Sequence, residues 1–321
     1  MRVFNQRGIR VQQDGRELVL DPRSRQPHAI VSHAHMDHLA PGAYMTPETL
    51  DVMKVRLGKK ADGTALPYHH EVDVEGMRVS LVEAGHVFGS AMIRVDDLLF
   101  SGDLNPSGGP TCGTCEPQDC TTLVLESTYG EPRFTFPPKE EVLGDLLSWL
   151  EDSLEHGPVA LGAYEFGKGQ ELVALANELD VPVLVPRRMA QIAEVYRKHG
   201  HPLRFTPYTR AKEEKEGPYV LIAPSRAFKR PGSAEVQEVL AKGGRTAFTS
   251  GWCSVYDFRR SHHLDAQFPL SDHGDIEDLL WFVDACNPKE VYTCLGYAEE
   301  LAKTIRVKLR TKAEPLGKGW F

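Results

Sequence analysis

The feature that most constrains this chain is the run Ser32-His33-Ala34-His35-Met36-Asp37-His38, which follows the apolar stretch Ala29-Ile30-Val31. A short apolar run that stops at polar residues reads as a buried strand feeding a loop, so the cluster falls on a strand-end loop. Four ligand-type side chains within six positions meet at one point only if that loop turns tightly. Imidazole and carboxylate are the donors that suit zinc and its first-row neighbours. The competing reading is a polar loop with hydrogen-bonded histidines. A single histidine would favour that reading, and the density of the pattern weighs against it.

The surroundings of the cluster follow the same grammar. Leu18-Val19-Leu20, Leu98-Leu99-Phe100 and Leu123-Val124-Leu125 are further apolar runs that end in polar or turn residues. Val142, Leu143, Leu146, Leu147, Leu150 and Leu154 then form one helical stripe. From about His156 the texture changes. Val159-Ala160-Leu161, Val183-Leu184-Val185, Val220-Leu221-Ile222 and Thr246-Ala247-Phe248 read as strands, with helices over Gln170–Leu179 and Met189–His199 between them. Strand–helix alternation of this kind predicts a parallel α/β sheet. After about Arg260 the chain reads as a loop, a helix from about Ile276 to Ala285 and a strand at Val291–Cys294.

A length of 321 residues with 41% hydrophobic and 26% charged suits one large domain or two intertwined ones. No uninterrupted apolar run is long enough to cross a membrane. Met1-Arg2-Val3-Phe4 runs straight into strand-like sequence, so no signal peptide is expected and a cytoplasmic location is the default. Six cysteines are few for a disulfide framework. The net charge of -8 is unevenly spread: His156 to Arg260 carries 16 Lys and Arg against 11 Asp and Glu, and the remainder carries 21 against 34. A basic middle on an acidic body fits a phosphate-backbone surface, with chance clustering on solvated faces as the alternative.

In its histidine cluster the sequence resembles the metallo-β-lactamase superfamily. The resemblance implies that Asp21, after Leu18-Val19-Leu20, orients a metal histidine without touching the metal. It assigns the third histidine to His86, in Gly85-His86-Val87-Phe88-Gly89-Ser90, and a bridging carboxylate to Asp103, in Phe100-Ser101-Gly102-Asp103. It thus implies two divalent metal ions, zinc or manganese. The first would take His33, His35, His86 and Asp103, and the second Asp37, His38 and Asp103. Two such cations can activate a water and stabilise both oxygens of a phosphoryl displacement.

Leu123-Val124-Leu125-Glu126-Ser127-Thr128-Tyr129-Gly130 resembles the acidic motif that opens the β-CASP nuclease branch, and Leu270-Ser271-Asp272-His273-Gly274-Asp275 resembles a later motif of that branch. The expected fold class is therefore α/β: a metallo-β-lactamase αββα sandwich over 1–155 and 256–321, with an inserted β-CASP α/β domain over 156–255. Asp37, Glu126 and His273 are the catalytic candidates. In the family the histidine pairs with the acidic motif and helps protonate the leaving oxygen, which a carboxylate partner favours by keeping imidazole protonated. Alone, His273 would read as a helix-start histidine beside an Asp272 cap.

Thr111-Cys112, Pro117-Gln118-Asp119-Cys120, Gly167-Lys168-Gly169-Gln170, Pro231-Gly232-Ser233-Ala234 and Ser250-Gly251-Trp252 look like the DNA ligase-associated exonucleases of bacteria and archaea. That resemblance implies a repair nuclease on single-stranded DNA or DNA ends, in the 5′-to-3′ direction, working beside a ligase and a helicase. An RNA-processing β-CASP ribonuclease and a small-molecule metallo-hydrolase are the alternatives. One position departs from the pattern. Leu295, in Cys294-Leu295-Gly296-Tyr297, stands where the family usually has a histidine of the second metal. Leucine cannot ligate, so the second site is expected to be weaker. The DNA-acting Artemis and Apollo type nucleases share an aliphatic residue there, which favours DNA over RNA.

Fainter signals concern nucleic-acid binding. Lys168 at a helix start could hold a phosphate. Ser250, Arg226, Lys229, Arg230, Arg259 and Arg260 could line a strand, with Trp252 or Phe228 as a stacking face. Each could equally be ordinary surface or core. Cys112, Cys115 and Cys120 hint at a structural zinc but lack an obvious fourth ligand.

Overall fold

Thr122–Glu126 is the strand around which the first half of the chain is organised. All of its residues are buried. Val124 packs into a core shared with Leu18, Leu20 and Ile30, whereas Leu123 and Leu125 pack into a second core with helix residues. That is the period-two alternation of a strand covered on both faces. The computed structural model describes residues 1–229, 232–262 and 264–317. The chain divides into two compact units, Met1–Thr135 with His273–Phe321, and Phe136–Asp272.

The first unit has two sheets. One runs in sequence order from Arg2–Asn5 through Ile9–Gln13, Arg16–Leu20, Ala29–Ile30 and Ala43–Met45 to Gly63–Ala65. The other is ordered Lys312–Pro315, Glu290–Cys294, Thr122–Glu126, Leu98–Phe100, Ala91–Val95, Met77–Glu83 and Val72–Val74. One core draws Ile9, Val11, Leu18, Leu20 and Ile30 from the first sheet and Val79, Leu81, Ile93, Phe100 and Val124 from the second. The other draws Leu279, Leu280 and Val283 of helix Ile276–Cys286 and Leu301 and Ile305 of helix Ala298–Lys308 onto Leu99, Leu123, Leu125 and Val291. Each such side chain withdrawn from water contributes about 1.5–3 kcal/mol.

Strand direction decides where the chemistry lies. Arg16–Leu20 and Ala29–Ile30 are parallel, as are Leu98–Phe100, Thr122–Glu126 and Glu290–Cys294. Met77–Glu83 runs the same way as Leu98–Phe100, because each is antiparallel to Ala91–Val95. Asp21, His33 to His38, His86, Asp103, Glu126 and Leu295 all lie at or just past the C-terminal ends of these strands. The amide of Ala91 donates to Ser32 O at 2.8 Å, which ties the histidine loop to the second sheet.

The second unit holds a six-stranded sheet ordered Thr206–Pro207, Val183–Val185, Val220–Pro224, Val159–Ala163, Arg245–Thr249 and Ala266–Phe268, with every pairing parallel. The compact unit that holds this sheet runs over Phe136–Asp272. Helix Lys139–Leu154 packs on Val159–Ala163 and Lys168–Ala176, and Ala266–Phe268 pairs with Arg245–Thr249, so both belong to this unit. The change in sequence texture at His156 lags behind the change in contacts, because an amphipathic helix looks alike whichever sheet it covers. No helix among the described residues is long and apolar enough to cross a membrane.

Candidate metal centre

The centre begins with a carboxylate at a strand end. Asp21 follows Arg16–Leu20 with φ 45°, a left-handed conformation that aspartate tolerates better than most residues. Its Oδ1 accepts from the Ser32 amide at 2.6 Å. Its Oδ2 accepts from Ser32 Oγ at 2.6 Å and lies 2.8 Å from His38 Nδ1. Ser32 Oγ in turn lies 2.9 Å from His33 Nδ1. Because the Ser32 hydroxyl proton goes to Asp21, its oxygen accepts from His33 Nδ1–H. The two imidazoles therefore carry their protons on Nδ1 and keep Nε2 lone pairs for a cation. Ser32 stands beside His33 in the same motif, but its sequence position alone does not signal this role.

Close backbone approach brings the remaining donors in. Gly102 precedes Asp103 with φ 55°, and a Cβ there would come within 2.7 Å of Ser32 Cβ. Only glycine lets the two loops come this close. Asp103 Oδ2 then lies 3.4 Å from His33 Nε2, 3.5 Å from His38 Nε2 and 3.7 Å from His86 Nε2. His35 Nδ1 is 2.9 Å from His33 Nε2 and 3.2 Å from His86 Nε2.

This donor set fits a bound cation. Four ligands held about 2.1 Å from a tetrahedral zinc stand about 3.4 Å apart, close to the separations seen here. His33, His35, His86 and Asp103 form one such group, with ligand atoms within 4.8 Å of one another. Asp103 Oδ1 is buried and has no hydrogen-bond partner, a cost that a cation would remove. Burial, with the neighbouring histidines, pushes the His33 pKa well below its usual value, so its ring is neutral and able to ligate. Burial also opposes charge on His38, but Asp103 and Asp21 outweigh it and raise the pKa to about 10. A cation in place of that proton would satisfy the same carboxylates.

The expected second set is less tightly drawn. His38 Nε2 lies 3.7 Å from Asp37 Oδ2, and the Asp37 side chain is 66% exposed. Leu295 follows Glu290–Cys294 with φ 63° and lines a small cavity together with Ile9, Asp21, His38, Phe100 and Cys294. A leucine in the left-handed region is an outlier of the kind that collects at functional positions.

Glu126 and His273 are brought together. His273 Nδ1 lies 2.9 Å from Glu126 Oε1, and Asp103, Glu126 and His273 form a further group of potential ligands. Burial would raise the Glu126 pKa, but His273 and the amides of Leu104 and Thr128 outweigh it and hold the carboxyl below its usual range. His273 sits between two rings: His86 at 4.4 Å between centroids and Tyr129 at 5.8 Å, edge to face. Tyr129 belongs to the acidic motif, and nothing in its sequence position signals this contact.

The residues considered for nucleic-acid binding fare unevenly. Lys168 is 1% exposed and pairs with Asp272, and the amides of Gly169, Gln170 and Glu171 already bond to carbonyls of Tyr164 and Gly167. This corrects its reading as a phosphate ligand: neither the ammonium nor the helix start is offered to solvent. Phe228 is also corrected, being buried in the core of the second unit. Ser250 is buried and its hydroxyl caps the turn at Trp252. Trp252 is half-buried, with the Tyr256 ring 6.2 Å away. Arg259 and Arg260 are exposed, but Arg259 is matched by Asp257 and Arg226 by Glu165. Lys229 is exposed, and Arg230 and Pro231 lie outside the described residues. Among the described residues no group of potential ligands includes a cysteine, and Cys112 Sγ donates to Gly85 O at 3.3 Å.

No protein-family model matches the chain. It is 33% identical over 296 residues to a probable DNA ligase of Opitutus terrae, covering 89% of this chain and 28% of the ligase. It is 27% identical over 191 residues to the ribonuclease aCSPSF2 of Saccharolobus solfataricus, covering 48% of this chain and 38% of that protein. The chain thus spans about a third of the length of these two relatives. A crystal structure of a protein of unknown function from Enterococcus faecalis superposes with a TM-score of 0.63 at 14% identity, over 90% of this chain and 80% of that one, which speaks for the fold alone. With its paired sheets, its histidine–aspartate centre and these relatives, the chain belongs to the metallo-β-lactamase superfamily, in its β-CASP branch.

Proposed function

We propose that the chain is a metal-dependent nuclease that hydrolyses phosphodiester bonds of DNA, built as an αββα sandwich interrupted by a β-CASP domain. The observation that carries this reading is the placement of Asp103 within 4.8 Å of both the histidine set and the Glu126–His273 pair. Water activation and leaving-group protonation then fall side by side, which is what hydrolysis of a phosphodiester requires. His33, His35, His86 and Asp103 would hold one divalent cation, and Asp37, His38 and Asp103 a second. Bound zinc or manganese would supply positive charge for an in-line displacement at phosphorus. Asp21 holds His38, and Ser32 holds His33, in the tautomers that ligation needs. Glu126 engages His273 Nδ1 and favours the protonated ring, so proton transfer to the departing oxygen falls to Nε2.

Two observations favour DNA. A relative matched over 89% of this chain is a probable DNA ligase, and Leu295 lines the same small cavity as His38, at the position where, by the resemblance, RNA-processing relatives carry a histidine. Single-strand exonuclease action in the 5′-to-3′ direction, in repair beside a ligase and a helicase, completes the reading. Ribonuclease action is the second reading, favoured by the match to an archaeal RNase. The deciding experiment is incubation with end-labelled single-stranded DNA and matching RNA, with Zn²⁺ or Mn²⁺ added. Stepwise loss of label from DNA supports the proposal. Cleavage of RNA alone replaces it with the second reading, and cleavage of neither by metal-loaded protein ends both.

A further inference from the structure

The edge of the first unit that carries the metal donors also carries an arginine and two aromatic rings that the proposed chemistry leaves without a part. Strands Thr122–Glu126 and Glu290–Cys294 are parallel neighbours, with Glu126 opposite Cys294. The loops that leave them, from Ser127 and from Leu295, therefore start at the same edge. They are pressed together: the Tyr297 amide donates to Ser127 O at 2.7 Å, and a Cβ at Gly296 would come within 2.2 Å of that oxygen. Arg133 lies on the first of these loops. Its Nη2 donates to Tyr297 Oη at 2.8 Å, and its Nε lies 2.8 Å from Glu131 Oε2. Its guanidinium carbon stands 4.9 Å from the centre of the Phe134 ring and 5.4 Å from that of Tyr297.

This support is fixed. Phe134 is buried and meets Tyr129 edge to face at 5.2 Å, and Tyr129 meets His273 in the same manner at 5.8 Å. Two ring contacts thus lead from the residue beside Arg133 to the proposed proton donor. The Arg133 side chain itself stays 42% exposed. A long surface side chain loses rotamer freedom when it binds an anion, and Arg133 has given up much of that freedom in advance. Its exposed ion pair with Glu131 contributes little to stability, and a lysine would serve in it as well. What a lysine would not supply is a planar fork held at a set angle, the geometry that matches two phosphate oxygens. We infer that Arg133 binds a phosphodiester flanking the scissile one in a single DNA strand, with Tyr297 and Phe134 holding its guanidinium in place. The inference rests on the nuclease reading for the identity of the ligand, and its test includes a binding readout that needs no cleavage.

The test uses the full chain and a single-stranded oligonucleotide in which one phosphodiester at a time is replaced by an uncharged methylphosphonate. With metal-loaded wild-type protein, neutralising one flanking position should raise KM roughly tenfold, the lower end for a hydrogen bond to a charged group, with kcat unchanged. Arg133→Gln should raise KM for the unmodified strand by the same factor. It should also be indifferent to neutralisation at that one position, because residue and phosphate are the two halves of one contact. Tyr297→Phe should show the same change in smaller measure. Arg78→Gln removes an equal charge from the start of strand Met77–Glu83, at the opposite edge of the sheet, and should change nothing. An unchanged KM in Arg133→Gln overturns the inference. So do losses that add at every position, or an Arg78→Gln that matches Arg133→Gln, since Arg133 would then be only part of the general field. Without metal, where DNA is bound and not cut, Arg133→Gln should lower the slope of log Kd against log salt by about 0.7, the share of one phosphate on a single strand. An unaltered slope overturns the inference too. Wild-type protein that binds DNA and cleaves none with any metal would sink the nuclease reading and leave the slope to decide this one, and protein that binds no DNA ends both.

Discussion

His273 Nδ1 lies 2.9 Å from Glu126 Oε1 across 147 residues of sequence. The carboxyl that receives it is also the acceptor for the Leu104 and Thr128 amides, at 2.8 and 3.1 Å. Glu126 is therefore held from several sides, while His273 retains 19% exposure and sits at the edge of the metal donors. A fixed carboxylate under a partly open imidazole is the arrangement of a general acid, whose contribution is typically about 10²–10⁴-fold. His273→Ala is expected to slow DNA cleavage by that range and leave the Kd for DNA unchanged. Single-turnover rates and a binding titration check it together. Parallel loss of binding and cleavage would mark His273 as structural instead.

Asp103 is the donor on which both proposed sites depend. Its Oδ2 stands 3.4–3.7 Å from three imidazole nitrogens. Burial raises its pKa to about 6, so the bare carboxylate is poorly accommodated without a cation. Purified wild-type protein is expected to carry zinc, iron or manganese. Asp103→Ala should lose metal and reduce cleavage to background while keeping its circular dichroism spectrum. Elemental analysis after dialysis and a cleavage assay decide the point. A variant that cleaves at the wild-type rate would end the mechanism proposed here.

A third prediction concerns pH. Glu83 ends strand Met77–Glu83, and its Oε1 accepts from the Gly85 amide at 3.3 Å. Burial lifts its pKa to about 7. The folded state therefore binds this proton more tightly than the unfolded chain does. The resulting stability is fully present below about pH 4.5 and is lost as pH rises through about 7. Glu83→Gln keeps an acceptor for the amide and removes the ionisation, so it should stabilise the protein above pH 7 by about 1–3 kcal/mol and change little at pH 5. Melting temperatures of the two proteins across that range provide the check. Equal differences at both ends would show that Glu83 does not titrate as placed.

What could be read from sequence depended on how local the determining contacts are. His33, His35, Asp37 and His38 are dense enough in sequence to announce a donor cluster, and the structure gathers His33 and His35 with His86 and Asp103. The pairing of Glu126 with His273 has no local signal and is expected only through resemblance to a family. Helix Pro47–Leu57 lies outside the expected elements although Thr46 caps it and proline opens it, both readable cues. Helix Ala298–Lys308 is likewise absent from the expected elements, despite Leu301, Ala302 and Ile305 at helical spacing. The burial of Lys168 is illegible in sequence for a physical reason. A lysine in a glycine-rich turn is normally solvated, and its burial here depends on Asp272, 104 residues away. Of the basic residues of the middle segment, Arg226, Arg245 and Arg259 are each matched by a carboxylate, which a count of charges along the sequence does not reveal.

Leu295 follows strand Glu290–Cys294 and lines the same small cavity as His38 and Asp21. An aliphatic side chain there adds no donor to the set of Asp37, His38 and Asp103, and Asp37 is largely exposed. The second cation should therefore bind more weakly than the first, and cleavage should rise as Mn²⁺ or Zn²⁺ is added beyond what the purified protein holds. Leu295→Ala removes no ligand and should leave occupancy unchanged, with some loss of stability from the packing it gives up against the adjoining core. Leu295→His places an imidazole beside His38 and should raise second-site occupancy and reduce the added metal needed for half-maximal cleavage. Metal titration followed by elemental analysis and cleavage rate reads both effects at once. Two tightly held ions in the wild-type protein would mean that another residue supplies the missing ligand. His273, grouped with Asp103 and Glu126 within 4.8 Å, would then be the first to examine, its role shifting from proton donor to ligand.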